Sequence, residues 1–314
     1  MAPQKDLSII IINFNQTLIT ARCLESIYKN TSDLEVEVIV VDNGSAFESL
    51  RELKSFFPQV EYLELPENVG YSRANNLGAG RATAECLLFL NNDTLISEGI
   101  LKKMVDFLKS HPQVGACGVR LENEAGAADL ACANSPRFLT EVFSSCGLDK
   151  SFKKSSFFNP YYRNYWLLKE PVEVAIISGA DLMVVGKVFQ EVGGFDENFF
   201  FYYEDADFCL KVRKAGYKIF YMPQLKINHL RGATIEGFSS KKFLEWRKSR
   251  LYFYKKNYSR GEFVMVKIFM LVTLLIRFII FPILWLGRFL GLKKTVLENY
   301  RTYRQAWRLI KNFK

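Results

Sequence analysis

The stretch LSIIIINFN at residues 7–15 decides the fold that this sequence predicts. Its first six residues form a short run dominated by isoleucine, which is typical of a strand that is buried on both faces. The run stops at Asn13 and Asn15, two amides that either form a turn or bind a polar ligand. A buried strand that ends in polar side chains favours a parallel sheet with functional groups at its carboxyl edge.

The same alternation continues along the chain. Further strands are predicted at 36–41, 62–65, 86–90, 114–121, 174–177 and 217–221, and helices at 16–30, 46–57, 72–82, 97–110, 187–192 and 205–215. Strands that alternate with helices predict an α/β fold with a mostly parallel sheet and helices on both of its faces. Residues 123–170 show no clean period, which indicates a long loop region.

Polar clusters also follow the second and fourth predicted strands. Asp42 and Asn43 come directly after one, and Asn91, Asn92 and Asp93 directly after the other. Each cluster alone is explained by an ordinary turn, because Asn and Asp are common turn residues. Clusters from several strands at one sheet edge favour a ligand site, and a carboxylate such as Asp93 is a ligand that Mg²⁺ or Mn²⁺ prefers.

Three carboxylates, Glu204, Asp205 and Asp207, open a predicted helix directly after the aromatic run at 199–203. An acidic cap of a helix N-terminus is one explanation, because the helix dipole stabilises negative charge there. A general base is the other, because mutual repulsion and poor hydration raise the pKa of a carboxylate toward neutrality. His229, one of two histidines, is either a hydrogen-bonded structural residue or a ligand.

The net charge of +9 is unevenly distributed. Residues 241–314 carry +15 and residues 1–240 carry −6, so a basic tail follows a mildly acidic domain. Such a tail suggests a nucleic acid, an anionic lipid or an anionic substrate as partner. We do not expect nucleic acid, since the positive charge lies in a highly apolar segment and no zinc-finger or RNA-binding motif is present.

The tail contains two apolar helical patterns. Residues 268–287 are long enough to span a bilayer, but bases on both sides favour a re-entrant or in-plane arrangement. Residues 295–314 read as a basic amphipathic helix with one apolar face, formed by Val296, Tyr300, Tyr303, Trp307 and Ile310. This pattern fits an anionic membrane surface, or else a helical pair packed on the rest of the chain or on another subunit.

Six motifs occur in one order along residues 6–255: VDNGS at 41–45, ENVGYSRANNLG at 67–78, LNND at 90–93, SGA at 178–180, GGFDE at 193–197 and YYEDADF at 202–208. Together they resemble glycosyltransferase family 2, and within it bacterial rhamnosyltransferase-like enzymes of surface polysaccharide synthesis. The resemblance implies a GT-A fold, Rossmann-like with a mixed sheet. It also implies a catalytic domain over 1–240, whose nucleotide-sugar half is 1–95 and whose acceptor and base half is 96–240. The charge and apolar pattern of 241–314 add a membrane-associating helical tail.

The resemblance also assigns roles to residues. Asp205 matches the catalytic base and Glu204 assists it, while Asp93 and His229 match positions that hold the divalent cation, Mg²⁺ or Mn²⁺. Positions expected to line the nucleotide sugar are Asn13, Asn15, Asp42, Asn43, Gly70, Arg73, Asn75, Asn91 and Asn92. Gly179, Asp207 and Arg250 are expected to support the acceptor side, with Arg250 near the diphosphate. Asn91 stands where the family's metal motif has its first aspartate, so this ligand is an amide without charge.

The implied function is an inverting, metal-dependent transfer of a sugar from a nucleoside diphosphate to a hydroxyl of a glycan or a polyprenyl-diphosphate-linked saccharide. dTDP-rhamnose is the favoured donor and a UDP-sugar, such as a UDP-hexose, is the next. The expected location is the cytoplasmic face of the cell membrane, because the N-terminus shows no secretion signal and the tail is basic. A membrane-bound scaffold without activity is the alternative that Asn91 leaves open.

Overall fold

The computed structural model describes residues 5–45, 47–146, 148–152, 155, 157–159, 165, 168–230, 240–286 and 293–313. Its strands are β1 (Leu7–Asn13), β2 (Val36–Asp42), β3 (Glu61–Glu64), β4 (Cys86–Asn91), β5 (Thr94–Leu95), β6 (Val114–Glu122), β7 (Cys132–Ala133), β8 (Val172–Glu173), β9 (Ile176–Ile177), β10 (Asp181–Val185) and β11 (Lys218–His229). Its helices are α1 (Thr17–Asn30), α2 (Phe47–Phe56), α3 (Tyr71–Ala79), α4 (Ile100–Ser110), α5 (Phe138–Ser145), α6 (Leu148–Ser151), α7 (Gly186–Glu191), α8 (Glu204–Lys214), α9 (Ser240–Asn257), α10 (Arg260–Leu286) and α11 (Lys293–Asn312).

The main sheet is mixed and centres on β1, β4 and β10. Within the described residues its order is β3-β2-β1-β4-β10-β6-β11-β5, with β8 paired to β11. The first four strands are parallel to one another, β10 runs antiparallel to both of its neighbours, and β6 and β11 are parallel. The mostly parallel sheet predicted from the sequence is therefore confirmed.

The apolar run that begins the sequence argument lies in the core. Leu7 and the isoleucines at 9, 10 and 11 are completely buried in β1, between β2 and β4. Helix α3 approaches this strand through Gly78, where a Cβ atom would lie only 2.6 Å from Cγ2 of Ile10. The parallel register pairs Asn13 with Asp42, so the ends of β1 and β2 present their polar residues side by side.

Strand β10 is a central strand that the sequence analysis did not predict. It begins with Asp181, a charged residue that argues against a core strand, yet this side chain is completely buried. Burial raises the pKa of Asp181 well above its usual range, and its Oδ2 accepts a hydrogen bond from the backbone N–H of Val119 at 2.6 Å. A neutral carboxyl that is bonded to β6 is compatible with a core position.

Other predicted elements differ in extent. The strand expected at 174–177 is instead divided between the short strands β8 and β9, and the one expected at 217–221 continues to His229 as β11. The predicted loop region 123–170 is not wholly irregular, because it contains β7, α5 and α6. The aromatic residues that obscured any period there partly pack against one another, as Phe143 does with Phe158 at a ring-centroid distance of 5.5 Å.

The chain divides into two compact units. The first comprises 1–135, 161–200 and 204–236, and contains every strand named above; the second comprises 136–160, 201–203 and 237–314. The longest segment of the second unit, 237–314, has nearly the same bounds as the predicted tail, 241–314. The second unit also includes residues 136–160 and 201–203, which were predicted to belong to the catalytic domain.

In the second unit, α11 packs on α9 and α10 through its apolar face. Tyr303 and Ile310, predicted to face a membrane, are buried, and the Tyr303 ring lies 5.7 Å from that of Phe243. This face therefore packs within the second unit at Tyr303 and Ile310, whereas Tyr300 of the same face is exposed and the side chain of Val296 lies outside the described ones. Membrane binding by this helix stays a prediction. No helix in the described parts of the chain has both the length and the apolar character of a membrane span.

Candidate active site

A chain of hydrogen bonds fixes the polar residues at the ends of β1, β2 and β4. Asn92 donates to the Thr20 hydroxyl at 3.0 Å, and that hydroxyl donates to Asn13 Oδ1 at 2.8 Å. Asn13 Nδ2 in turn donates to Asp42 Oδ1 at 2.7 Å. The backbone N–H of Ser45 donates to the other oxygen of Asp42 at 3.0 Å. The Asp42 carboxylate is therefore held in one orientation before any ligand binds.

Asn43 organises the loop that precedes α3. Its Oδ1 accepts from the backbone N–H of Val69 at 2.9 Å, and its Nδ2 donates to the Gly70 carbonyl at 3.4 Å. Gly70 has φ 90°, and a Cβ atom there would lie 2.7 Å from the carbonyl oxygen of Phe200. Only glycine therefore fits this position, and it lets the loop approach the segment that leads to α8.

Asp93 and His229 meet at the edge formed by β5 and β11. The antiparallel register pairs His229 with Thr94, and the Nε2 atom of His229 lies 3.1 Å from Asp93 Oδ1. The other ring nitrogen, Nδ1, lies 2.8 Å from Oδ2 of Asp129, a buried residue that the sequence analysis did not single out. Burial alone lowers the pKa of His229, but the hydrogen bonds to Asp129 and Asp93 outweigh it and raise the pKa to about 9.

These donors fit a divalent cation. A carboxylate and an imidazole are ligands of Mn²⁺, and the amide oxygen of Asn91 is a third donor of the same class nearby in the chain. Asp129 provides the outer partner that metal-binding histidines require, because it holds Nδ1–H and leaves Nε2 facing Asp93. Within the described residues no group of three or more His, Cys, Asp or Glu side chains is arranged to hold a metal ion.

Glu204 and Asp205 are the first two residues of α8, and their carboxyl groups differ in their hydrogen bonds. Asp205 accepts from its neighbours' backbone N–H groups, Ala206 at 2.7 Å and Gly179 at 3.3 Å. Burial raises the pKa of Asp205, and these two hydrogen bonds oppose the shift. Glu204 Oε2 is buried and has no hydrogen-bond partner, and burial together with the charge of Asp205 raises the pKa of Glu204 to about 8. At neutral pH Glu204 is therefore mostly protonated, and Asp205 is the better-stabilised anion.

Tyr71 joins the two halves of the site. Its hydroxyl lies 2.7 Å from the carbonyl oxygen of Gly179 and 3.2 Å from Oδ1 of Asn91. Gly179, in turn, donates its N–H to Asp205. Burial raises the pKa of Tyr71, and the charges of Glu204, Asp205 and Asp93 raise it further, so the phenol stays protonated. One side chain thus lies between the Asn-Asn-Asp motif and the acidic helix.

The pKa of Glu204 makes stability depend on pH in a defined direction. Because its pKa in the folded state, about 8, is above its ordinary value of 4.5, the folded state binds more protons than the unfolded state between these values. Glu204 therefore contributes stability that is present below pH 4.5 and is lost as pH rises through 8. We expect Glu204→Gln to reduce the decrease in melting temperature between pH 6 and pH 9. Calorimetry at both values checks this, and an unchanged pH dependence would contradict it.

The remaining predicted residues lie at different depths. Asn75 is buried, with Nδ2 donating to the Tyr71 carbonyl at 3.0 Å and Oδ1 without a partner. Arg73 is exposed and pairs with Glu197 at 3.7 Å. Asn15 adopts a left-handed φ of 53°, and its N–H donates to the Ser45 hydroxyl. Asp207 is completely buried on α8.

Arg250 lies in the second unit, buried in an ion pair with Glu141. Its expected role near the diphosphate stays a prediction.

Tyr71 and Asp129 are the functional residues that the sequence reasoning missed. Tyr71 lies inside the quoted motif at 67–78, so its position beside Gly70 was a usable signal. Asp129 lies 100 residues before His229, in the stretch without a clean period. Nothing in the sequence links these two residues, because only the pairing of β11 brings His229 to the sheet edge.

Comparison with known proteins identifies related sequences. Among similar sequences, the "N-acetylglucosaminyl-diphospho-decaprenol L-rhamnosyltransferase" of Mycobacterium tuberculosis is 28% identical over 214 residues, which cover 62% of this chain and 66% of that protein. The "dTDP-rhamnosyl transferase RfbF" of Shigella flexneri is 24% identical over 226 residues, which cover 71% of this chain and 68% of that protein. The matched region thus spans just under two thirds of the mycobacterial relative's length.

Comparison of folds gives the same class. The crystal structure of GalNAc-T7 with UDP, GalNAc and Mn²⁺ superposes with a TM-score of 0.58 at 16% identity, over 81% of this chain and 50% of that one. This likeness supports the GT-A-like α/β fold expected from the sequence. The model of the family "Glycosyl transferase family 2" matches residues 8–174, more than half of the chain. The chain therefore belongs to glycosyl transferase family 2, and the relatives named above are rhamnosyltransferases.

Proposed function

We propose that this protein transfers a sugar, with inversion, from a nucleoside diphosphate to a hydroxyl of a glycan or lipid-linked saccharide, in cell-surface polysaccharide synthesis. One observation carries the proposal: Tyr71 lies between Asn91 of the Asn-Asn-Asp motif and Gly179, whose N–H bonds Asp205. In an inverting displacement, the leaving diphosphate and the base that activates the acceptor hydroxyl lie on opposite sides of the anomeric carbon. Two polar centres bridged by a single side chain are close enough to serve that geometry.

Asp205 is the residue best suited to accept the proton of the acceptor hydroxyl. Both of its oxygens accept a backbone N–H, which keeps the carboxylate oriented, and each still has a lone pair for a substrate. Its pKa is raised by burial, which makes it a stronger base than an exposed aspartate. When the hydroxyl oxygen forms its bond to the anomeric carbon, the bond to the diphosphate breaks, and a single displacement inverts that carbon.

Asp93 and His229 are the residues that would hold the divalent cation, with Asn91 as a neutral donor. A cation bound there would stabilise the negative charge of the leaving diphosphate. The protein's own contribution is orientation: Asp129 fixes the ring of His229, and the N–H of Leu230 donates to the Asp93 carbonyl at 2.7 Å. The rigid strand ends keep both side chains on one edge.

The donor is proposed from the chemistry of Asp42 and from the relatives. An oriented carboxylate at Asp42 would accept the N3–H that thymine and uracil share, so it reads either base. The activities for which the relatives are named favour dTDP-rhamnose as donor and a polyprenyl-diphosphate-linked saccharide as acceptor. A UDP-sugar is the next candidate.

The decisive experiment is a donor screen with the full chain. Nucleotide sugars, dTDP-rhamnose among them, are tested with Mn²⁺ or Mg²⁺ for binding by thermal shift and for transfer to a lipid-linked acceptor. Binding and transfer of one donor support the proposal. Binding of a nucleotide with no transfer or hydrolysis of any donor would instead identify an inactive scaffold.

We also propose that the second unit binds the cytoplasmic surface of the membrane through α10. Six large apolar side chains on this helix are more than 40% exposed: Val264, Met265, Ile268, Val272, Leu275 and Ile276. At 100° per residue they fall within one arc of about 120°, whereas Val266, Met270 and Leu274 point the other way and are buried. Exposed bases on α11, such as Arg301, Arg304 and Arg308, supply the charge that anionic headgroups attract.

The α10 stripe gives a testable prediction. Replacing Ile268 and Leu275 with Glu should weaken binding to vesicles with phosphatidylglycerol by at least ~10-fold, since burial of an apolar side chain is worth about 1.5–3 kcal/mol. Leu18→Glu is the matched control, because Leu18 is 81% exposed on α1 of the first unit. Flotation of the full chain and of both variants measures the effect. Equal flotation of all three, or no flotation at all, would reject α10 as the membrane surface.

A further inference from the structure

The segment that leads into the acidic helix has an unfavourable backbone. Tyr202 and Tyr203 have φ values of 71° and 68°, in the left-handed region that residues with a Cβ atom rarely adopt. The next two residues are Glu204 and Asp205, which begin α8. Consecutive left-handed residues persist only where surrounding contacts hold them, and such strain clusters at functional sites.

The second unit supplies those contacts. The hydroxyl of Ser249 on α9 donates to the carbonyl oxygen of Phe201 at 2.8 Å. The Tyr203 hydroxyl donates to Oε1 of Glu141 on α5 in a long hydrogen bond of 3.4 Å. The Tyr203 ring also packs on that of Phe253, with a centroid distance of 5.2 Å. Backbone, hydroxyl and ring of the segment are therefore all held.

Glu141 is itself fixed from two sides. Its Oε2 forms an ion pair with Arg250, and its Oε1 accepts from the Tyr254 hydroxyl at 3.0 Å. Glu141, Arg250 and Tyr254 are all buried. The Arg250 guanidinium stacks 4.8 Å from the ring centroid of Trp246, which restricts it further. A buried, charge-paired carboxylate between two helices is a rigid anchor, because moving it would strand a charge.

We propose that Glu141, Ser249 and Arg250 form a positioning cluster. The cluster holds Phe201–Tyr203 in its left-handed turn, and this turn is joined directly to Glu204 and Asp205, the first residues of α8. Arg250 acts here through Glu141, in a role different from the diphosphate contact expected from the sequence. The inference rests on the proposed function, since it makes these three residues positioning residues for Asp205 as base.

The test compares a double variant, which lacks two hydroxyl groups that contact the segment, with a control variant that lacks a hydroxyl elsewhere. The double variant Ser249→Ala/Tyr203→Phe removes both hydrogen bonds to the segment and leaves the Glu141–Arg250 pair intact. Ser240→Ala is the matched control, because it removes a hydroxyl from the same helix, α9, whose hydrogen-bond partner is Thr302 on α11 and which makes no described contact with the segment. We expect the double variant to lower kcat by roughly 10- to 100-fold at unchanged donor KM, and Ser240→Ala to leave kcat within about twofold, even if it lowers the melting temperature.

Hydrogen exchange gives a second readout that needs no activity. Amides of residues 201–207 should exchange at least ~10-fold faster in the double variant than in the wild type, and at the wild-type rate in Ser240→Ala. If the wild type transfers no sugar, the proposed function fails, and exchange alone decides about the cluster. Wild-type exchange in the double variant, or equal kcat losses in the double variant and the control, would overturn the positioning role.

Discussion

Asp205→Asn is expected to lower the rate of sugar transfer by at least ~10², with nucleotide binding unchanged. The amide has the shape of the carboxylate but cannot accept a proton, so the acceptor hydroxyl would attack without a base. The single oxygen of the amide can still accept the Gly179 N–H, whereas the bond from the Ala206 N–H is lost because an amide nitrogen does not accept. Single-turnover transfer and titration with the nucleotide diphosphate separate the two effects.

Glu204→Gln is the informative comparison for that variant. Because Glu204 has a pKa of about 8, it is mostly neutral at pH 7, and an amide resembles its protonated form. We expect a loss of less than ~10-fold at pH 7, well below that of Asp205→Asn. Asp106→Asn, which changes an exposed acid paired with Lys102 on α4, controls for substitution as such. Near-normal turnover of Asp205→Asn would remove Asp205 from the role of base.

The sequence was sufficient to predict strands β1, β2 and β4 and the polar residues at their ends, but not strand β10. The strands β1, β2 and β4 are buried on both faces, so they read as short apolar runs, and the polar residues after them could be assigned to one edge. Strand β10 was not predicted because its first residue is an aspartate, which is buried in a neutral form only once the core has formed. The raised pKa of Asp181 is a consequence of burial in the fold, so a hydrophobic pattern cannot reveal it.

The same limit applies to pairs that are distant in sequence. His229 could be named as a candidate ligand, but its partner Asp129 lies in a different segment, and their contact depends on the length of β11. In α11 the apolar face was recognised correctly as a face, yet periodicity does not distinguish a lipid surface from a neighbouring helix. The fold shows that Tyr303 of this face packs against Phe243, while the more extensive exposed apolar stripe lies on α10.

Asp93→Ala is expected to have the second large effect, on metal affinity. The variant removes the only carboxylate of the Asn91–Asp93 motif, and the amides that remain supply no charge to attract a cation. We expect Mn²⁺ to bind at least ~10²-fold more weakly in the presence of the nucleotide diphosphate, and donor affinity to fall with it. Calorimetric titration of Mn²⁺ measures the first, and donor titration at saturating Mn²⁺ the second.

Asp129→Asn separates orientation from ligation at the same site. The amide keeps an oxygen near Nδ1 of His229 but loses the charge that fixes the ring, so Mn²⁺ affinity should fall by about 10- to 100-fold. The loss of Mn²⁺ affinity should therefore be smaller than in Asp93→Ala, because His229 remains as a ligand but is less well oriented. Asp6→Asn, on a half-buried acid that pairs with Lys109, should leave the titration unchanged. An unaltered Mn²⁺ titration in Asp93→Ala would refute the assignment of the cation to this edge, because no other carboxylate lies within hydrogen-bonding distance of His229 Nε2 among the described contacts.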